Sequence, residues 1–225
     1  TPAVFNTGMV LLGWSALMRD VPKQSWRDSA GRACDWLLRM QDADGCWRRG
    51  NSQFALGEIS TYNVKAAWGM CEAGRALGRE DAIAGAIRNA EYCLTQQQPN
   101  GWFAKNCLSD ASNPLLHTTA YAMQGLIGIG RLTNRDEFID AASRTARSLM
   151  RSMGDDGFIP GRSSSDFSAG ADWCCLTGSA QTGIVWGQLY QITGDRSYAD
   201  ALQRVNRYLI RHHDIDNPDP TLRGA

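Results

Sequence analysis

Two kinds of helical pattern alternate along the chain. Residues 61–77 (TYNVKAAWGMCEAGRAL), 117–133 (HTTAYAMQGLIGIGRLT) and 178–193 (GSAQTGIVWGQLYQIT) carry small, apolar and aromatic side chains almost all round. A helix that apolar belongs inside a packed layer. Residues 81–97 (DAIAGAIRNAEYCLTQQ) and 137–153 (EFIDAASRTARSLMRSM) instead keep their apolar positions on one stripe, with Arg, Asp and Gln opposite. These patterns predict outer helices. GREDA, TNRDE and TGDRS join inner to outer pattern in turns of about five residues, with Gly, Asn and Asp as stop and start signals. No stretch alternates with period 2, so no sheet is expected.

The alternation is a repeat. Gly45, Gly101 and Gly157 are spaced 56 and 56, as are Gly13, Gly69 and Gly125, with Gly187 after 62. Arg32, Arg88 and Arg144 keep the same step, with Arg204 after 60. Trp26, Ala82, Phe138 and Tyr198 form another column at 56, 56 and 60. Helical hairpins of this length exceed tetratricopeptide and ankyrin units. They predict an all-α fold, an α/α toroid of about four hairpins forming an incomplete ring in a single domain, 1–225. The repeats fall at approximately 1–57, 58–113, 114–173 and 174–225. The chain opens at Thr1 and stops at TLRGA in mid-repeat, which is expected of a fragment of a longer chain.

Composition narrows the partners. Lys plus Arg equals Asp plus Glu, 23 each; the balance argues against a nucleic-acid or anionic-membrane surface. No apolar run reaches the length of a membrane span, and no signal pattern precedes the first helix. Seven cysteines, without a C-x-x-C pair, read as a reduced thiol set and point to a cytoplasmic protein. The expected partner is a carbohydrate or other polar small molecule, with no cofactor and no metal. An oligomer or further hairpins would close the ring.

The end of the second pattern carries a motif. RACDWLLRMQDADGCW, from Arg32 to Trp47, reads Arg-Ala-x2-Trp-Leu-x3-Gln-x3-Gly-x-Trp. It resembles the QW motif of terpenoid cyclases and protein prenyltransferases. RNAEYCLTQQQPNGWF is a looser copy, RTARSLMRSMGDDGF a degraded one, and His213 and Asn217 stand where a fourth Gln and Gly would. The resemblance implies an α/α toroid, an architecture shared by polysaccharide lyases, glycosidases and lanthionine-synthetase cyclases. Physically the motif is scaffold. Arg and Gln can bond across to a neighbouring hairpin, Gly permits a positive φ, and the aromatic packs back on the helix end. Gln41, Trp47, Gln97 and Trp102 are therefore expected to be structural.

The long outer-to-inner connections, 45–61, 101–117 and 157–177, all emerge where inner helices begin. Long loops on a rigid scaffold tend to carry function, and inner-helix N-termini would offer free N–H groups there. Asn6, Thr7, Tyr62, Asn63, His117, Thr118, Tyr121, Ser179 and Gln181 cluster at those starts. Arg48, Arg49, Lys105, Asn106, Arg162, Asp166, Asp172 and Trp173 lie in the loops. Thr, Ser and Asn at these positions serve by default as N-caps.

Several chemistries compete for these residues. For a polysaccharide lyase, Asn63 and Arg162 would neutralise a uronate carboxylate, His117 or Tyr121 would abstract the adjacent proton, and Tyr62 would act as acid. Lys105, Trp173 and Gln181 would bind substrate. For a glycoside hydrolase, Asp166 and Asp172 would supply the carboxylate pair. A non-catalytic binding or scaffold toroid is the alternative of a different class. The resemblance also admits two further enzymes. A terpenoid cyclase would need an Asp-x-Asp-Asp element, which is absent here. A lanthionine-cyclase-like zinc site would use Cys107, Cys174 or Cys175 with His117.

Overall fold

The computed structural model describes residues 2–55, 60–221 and 223–224. The repeat boundary drawn between residues 57 and 58 lies outside them. The helices are α1 (Val4–Asp20), α2 (Gln24–Met40), α3 (Val64–Leu77), α4 (Glu80–Thr95), α5 (Leu116–Thr133), α6 (Asp136–Ser152), α7 (Leu176–Thr193) and α8 (Arg196–His212). Among the described residues there is no strand, only isolated bridges such as Leu115 with Arg162. Odd-numbered helices form the inner layer, with α1 packed on α3, α3 on α5 and α5 on α7, and each is backed by its own outer helix. The fold is a partial α/α toroid of four hairpins.

The two layers follow from the two patterns. In α6 the buried residues are Phe138, Ala141, Ala142, Thr145, Ala146, Ser148 and Leu149, one stripe at helical spacing. Asp136 and Glu137 in its first turn and Arg151 in its last complement the helix dipole. Most of α5 is buried, from Leu116 to Gly130. Small residues let the inner helices approach closely. A Cβ on Gly125 would lie 2.5 Å from the Val64 carbonyl of α3, and one on Gly178 would lie 2.7 Å from the His117 nitrogen of α5. The inner-to-outer turns are tighter than the expected five residues. Only 78–79, 134–135 and 194–195 separate the later helix pairs, because Gly78, Asn134 and Gly194 reverse the chain in the left-handed region.

The repeated turn locks one hairpin to the next. The Gln97 side chain donates to the Ala141 carbonyl (2.8 Å) and the Thr145 hydroxyl (3.0 Å), and accepts from Arg144 (2.6 Å). Gln41 does the same one repeat earlier, donating to the Gly85 carbonyl (2.8 Å) and accepting from Arg88 (3.0 Å). Gly101, at φ 95°, sits against the backbone of Arg144 and Thr145, where a Cβ would come within 2.7–2.9 Å. Gly45 and Gly157 meet the backbones of Arg88 and Arg204 in the same way. Met153 replaces Gln in the third copy, and Arg211 bonds the Asp156 carbonyl instead (2.7 Å). Trp47 is fully buried and donates its indole N–H to the Leu37 carbonyl (2.9 Å). Trp102 is also buried.

Two sequence expectations change. The offset from α5 to α7 is a uniform 60 residues, so Val185 continues the Gly69–Gly125 column and Gly187 lies two residues out of register. The polar residues at inner-helix starts do not act as N-caps, since α1, α3, α5 and α7 have no side-chain cap. Loop carbonyls from the same face fill that role. The Val4 N–H donates to Gly50, Thr61 to Lys105 and Leu116 to Gly161. Part of the free N–H set expected at the mouth is thereby consumed.

Candidate functional site

Packing α1, α3 and α5 side by side brings an aromatic group together at the N-terminal end of the inner layer. The Phe5 ring centroid lies 4.8 Å from that of Tyr121 and 5.5 Å from that of Tyr62. Tyr62 and Tyr121 are 6.4 Å apart, and His117 stands edge-on to Tyr121 at 5.5 Å. Lys65 of α3 reaches over the Tyr121 ring, its Nζ 4.3 Å from the centroid, and donates to Gln124 Oε1 at 2.6 Å. On the other side of His117, Cys175 Sγ lies 3.8 Å from Nδ1. His117, Tyr121 and Tyr62 therefore lie together at the start of the inner layer.

Burial sets the protonation states. It pulls the Lys65 ammonium down to about 8, since removing the charge from water disfavours it. The amine stays largely charged at neutral pH and loses that charge in mild alkali. His117 is shifted below the ordinary histidine value, first by burial and then by the Arg162 guanidinium. Its imidazole is thus neutral near pH 7 and able to accept a proton. Burial raises the Tyr62 phenol, keeping it protonated. No Asp or Glu among the described residues bonds to or pairs with Lys65, His117, Tyr62 or Tyr121.

The remaining sequence candidates are placed differently. Asn63 is buried and donates to Asn51 Oδ1 at 2.7 Å, tying the start of α3 to the loop before it. Arg162 donates one N–H to the Asn113 carbonyl (2.7 Å) while its charge acts on His117. Lys105 is exposed in a left-handed conformation, φ 55°, and its backbone carbonyl serves Thr61. The Asp166 carboxylate accepts from Ser164 Oγ (2.6 Å) and the Ser168 N–H (2.9 Å), so it closes its own turn. Those bonds hold its carboxyl down at about 2. Asp166 lines a separate cleft of about 310 Å³ with Asn100, Ser148 and Arg151. Asp172 is exposed, and Trp173, nearly half exposed, lies over Gly161. Gln181 occupies the same column as Lys65 and Tyr121, and its Oε1 is buried without a hydrogen-bond partner.

Thiols do not gather round His117. Cys174 contacts Ser179 Oγ at 3.2 Å, Cys107 is buried, and all seven cysteines are free. Among the described residues no three of His, Cys, Asp and Glu converge, so the Cys–His zinc arrangement lacks its ligand cluster. Sequence reasoning missed Phe5 and Lys65, and reached Cys175 only as a candidate zinc ligand with His117. Lys65 left a readable signal, a lysine in the first turn of an inner helix between the apolar residues Val64, Ala66 and Ala67. Further along the concave face, Trp68, Glu72, Arg131 and Gln188 line a second hollow of about 260 Å³, so that wall is polar at both ends.

No family model matches the chain, and no similar protein was found among curated sequences. Solved structures do match. Unsaturated glucuronyl hydrolase from Bacillus sp. GL1, responsible for the degradation of glycosaminoglycan, aligns with TM-score 0.77 at 14% identity, over 97% of this chain and 64% of that one. An unsaturated glucuronyl hydrolase specific for heparin gives 0.79 at 11%, over 99% and 66%. Cellobiose 2-epimerase from Spirochaeta thermophila gives 0.77 at 13%, over 95% and 60%. At such identities the likeness shows the α/α-toroid fold, and the chain spans less than two thirds of each structure's length. The matches do not establish the terpenoid-cyclase superfamily suggested by the turn motif. No described helix is long and apolar enough to cross a membrane.

Proposed function

We propose that this toroid processes an acidic carbohydrate, binding it where the inner helices begin. The observation that carries the reading is the grouping of Tyr62, just before α3, and Lys65 of α3 with His117 and Tyr121 of the adjacent inner helix α5. Aromatic rings suit the apolar faces of a sugar, and a half-buried ammonium suits a uronate carboxylate. Toroids of this shape whose names describe action on glucuronyl compounds and cellobiose support the same class of ligand.

The chemistry best supported is β-elimination. Lys65 and Arg162 would offset the carboxylate charge and so acidify the neighbouring C5 proton. Neutral His117 would take that proton as the C4–O bond breaks and the C4–C5 double bond forms. The Tyr62 or Tyr121 hydroxyl would then protonate the departing oxygen. A two-carboxylate hydrolysis has less support, because Asp166 is engaged in its own turn and lines a separate cleft.

Calorimetric titration with uronate-containing and neutral oligosaccharides tests the reading, alongside ultraviolet absorbance to detect the new double bond. Uronate binding with absorbance gain supports elimination, and uronate binding without turnover leaves a binding toroid. Preference for neutral sugars, or no binding at all, overturns the acidic-sugar assignment.

A further inference from the structure

Cys175 and Cys174 are neighbours in sequence with different surroundings. Cys174 is engaged with Ser179 Oγ at 3.2 Å, and burial pushes its thiol up. Cys175 stands at the position just before the 18-residue helix α7, without a side-chain capping bond, and its Sγ lies 3.8 Å from His117 Nδ1. Both thiols are only partly buried. Gly178 produces this juxtaposition. Its missing side chain lets the first turn of α7 rest on the first turn of α5, where a Cβ would lie 2.7 Å from the His117 backbone nitrogen. Cys34, Cys46, Cys71, Cys93 and Cys107 are buried, and burial raises the thiol of each.

We infer that Cys175 and His117 form a nucleophile–base pair, making Cys175 the covalent-modification site of this molecule for soft carbon electrophiles. Attack by sulfur forms an S–C bond with the electrophilic carbon, and the leaving group departs with its bonding pair. The thiol proton passes to the Nδ1 lone pair of the neutral imidazole. The pair stands on geometry alone and is independent of the sugar reading.

Iodoacetamide is the probe, because its reaction releases iodide and needs no further reagent. Alkylation rates are measured near neutral pH on the folded protein by intact mass, in Cys174→Ser and Cys175→Ser backgrounds. The inference expects Cys175 to react about tenfold faster than Cys174, as a thiol with an adjacent base exceeds one that burial pushes up and that has no base beside it. In Cys174→Ser, the further change His117→Asn should remove that advantage. The Cys174 rate, followed with His117→Asn in the Cys175→Ser protein, should stay constant and reports intact packing. Equal rates for the two thiols, or a Cys175 rate indifferent to His117→Asn, would overturn the inference.

Discussion

Replacing Lys65 with Met should narrow the alkaline dependence of stability while removing affinity for an anionic ligand. The Lys65 amine titrates at about 8 in the folded protein, because burial outweighs its contact with Tyr121 and its bond to Gln124. In the unfolded chain it titrates near 10.4. Between those values the unfolded state binds more protons, so this residue makes the fold more stable as pH rises from about 8 to 10. The full displacement corresponds to about 3 kcal/mol. Lys65 is only partly buried, and solvent screening reduces that to about 1–2 kcal/mol. The Lys65→Met change would also leave Gln124 without its donor, a constant loss of about 1 kcal/mol at either pH. The quantity to read is therefore the change in the wild-type–variant difference, in which that constant cancels. Urea unfolding at about pH 7 and pH 10 should show wild type gaining about 1–2 kcal/mol on Lys65→Met across the interval. A difference that does not move with pH would refute the claim that Lys65 is held charged against its own burial.

Other expectations test the scaffold and the base. Gln97→Met copies the residue found at Met153 and should cost about 2 kcal/mol in urea unfolding, since it breaks the bonds to Ala141, Thr145 and Arg144. Gly101→Ala should cost about 3 kcal/mol, combining φ 95° with contact against the α6 backbone. Gly78→Ala, at φ 71° with open space around it, should cost only about 1 kcal/mol, and equal effects at the two glycines would discount the packing argument. For turnover of a uronate substrate, the acid limb of the pH–rate profile should fall below the ordinary histidine value of about 6.5, because burial and Arg162 disfavour the protonated ring. A limb above that value would mean another group controls the rate.

The hairpins, their two layers and the locking role of Gln41 and Gln97 were legible because they repeat. A column that recurs at a fixed interval reports a contact made several times over, and chance seldom imitates it. Gly187 shows the limit of that logic. Its glycine fits the pattern by identity, yet the helix bounds put Val185 in register. The surroundings of His117 and Tyr121 were harder to read, since Cys175 reaches His117 and Lys65 reaches Tyr121 from more than 50 residues away in the sequence. Their distances depend on helix–helix packing set by Gly125 and Gly178. Loop polarity misled in the opposite direction. Asp166 looked available for chemistry, but its spacing from Ser164 and Ser168 makes it a turn-closing carboxylate.

The most direct test of the acidic-sugar site is the initial rate of double-bond formation on a uronate polymer, followed by ultraviolet absorbance in wild type and His117→Ala. Urea unfolding of both proteins confirms that the variant is folded. Absorbance gain by wild type, with loss of about 100-fold or more in the variant, is the result predicted for a general base. Undiminished activity in folded His117→Ala would contradict the assignment of His117.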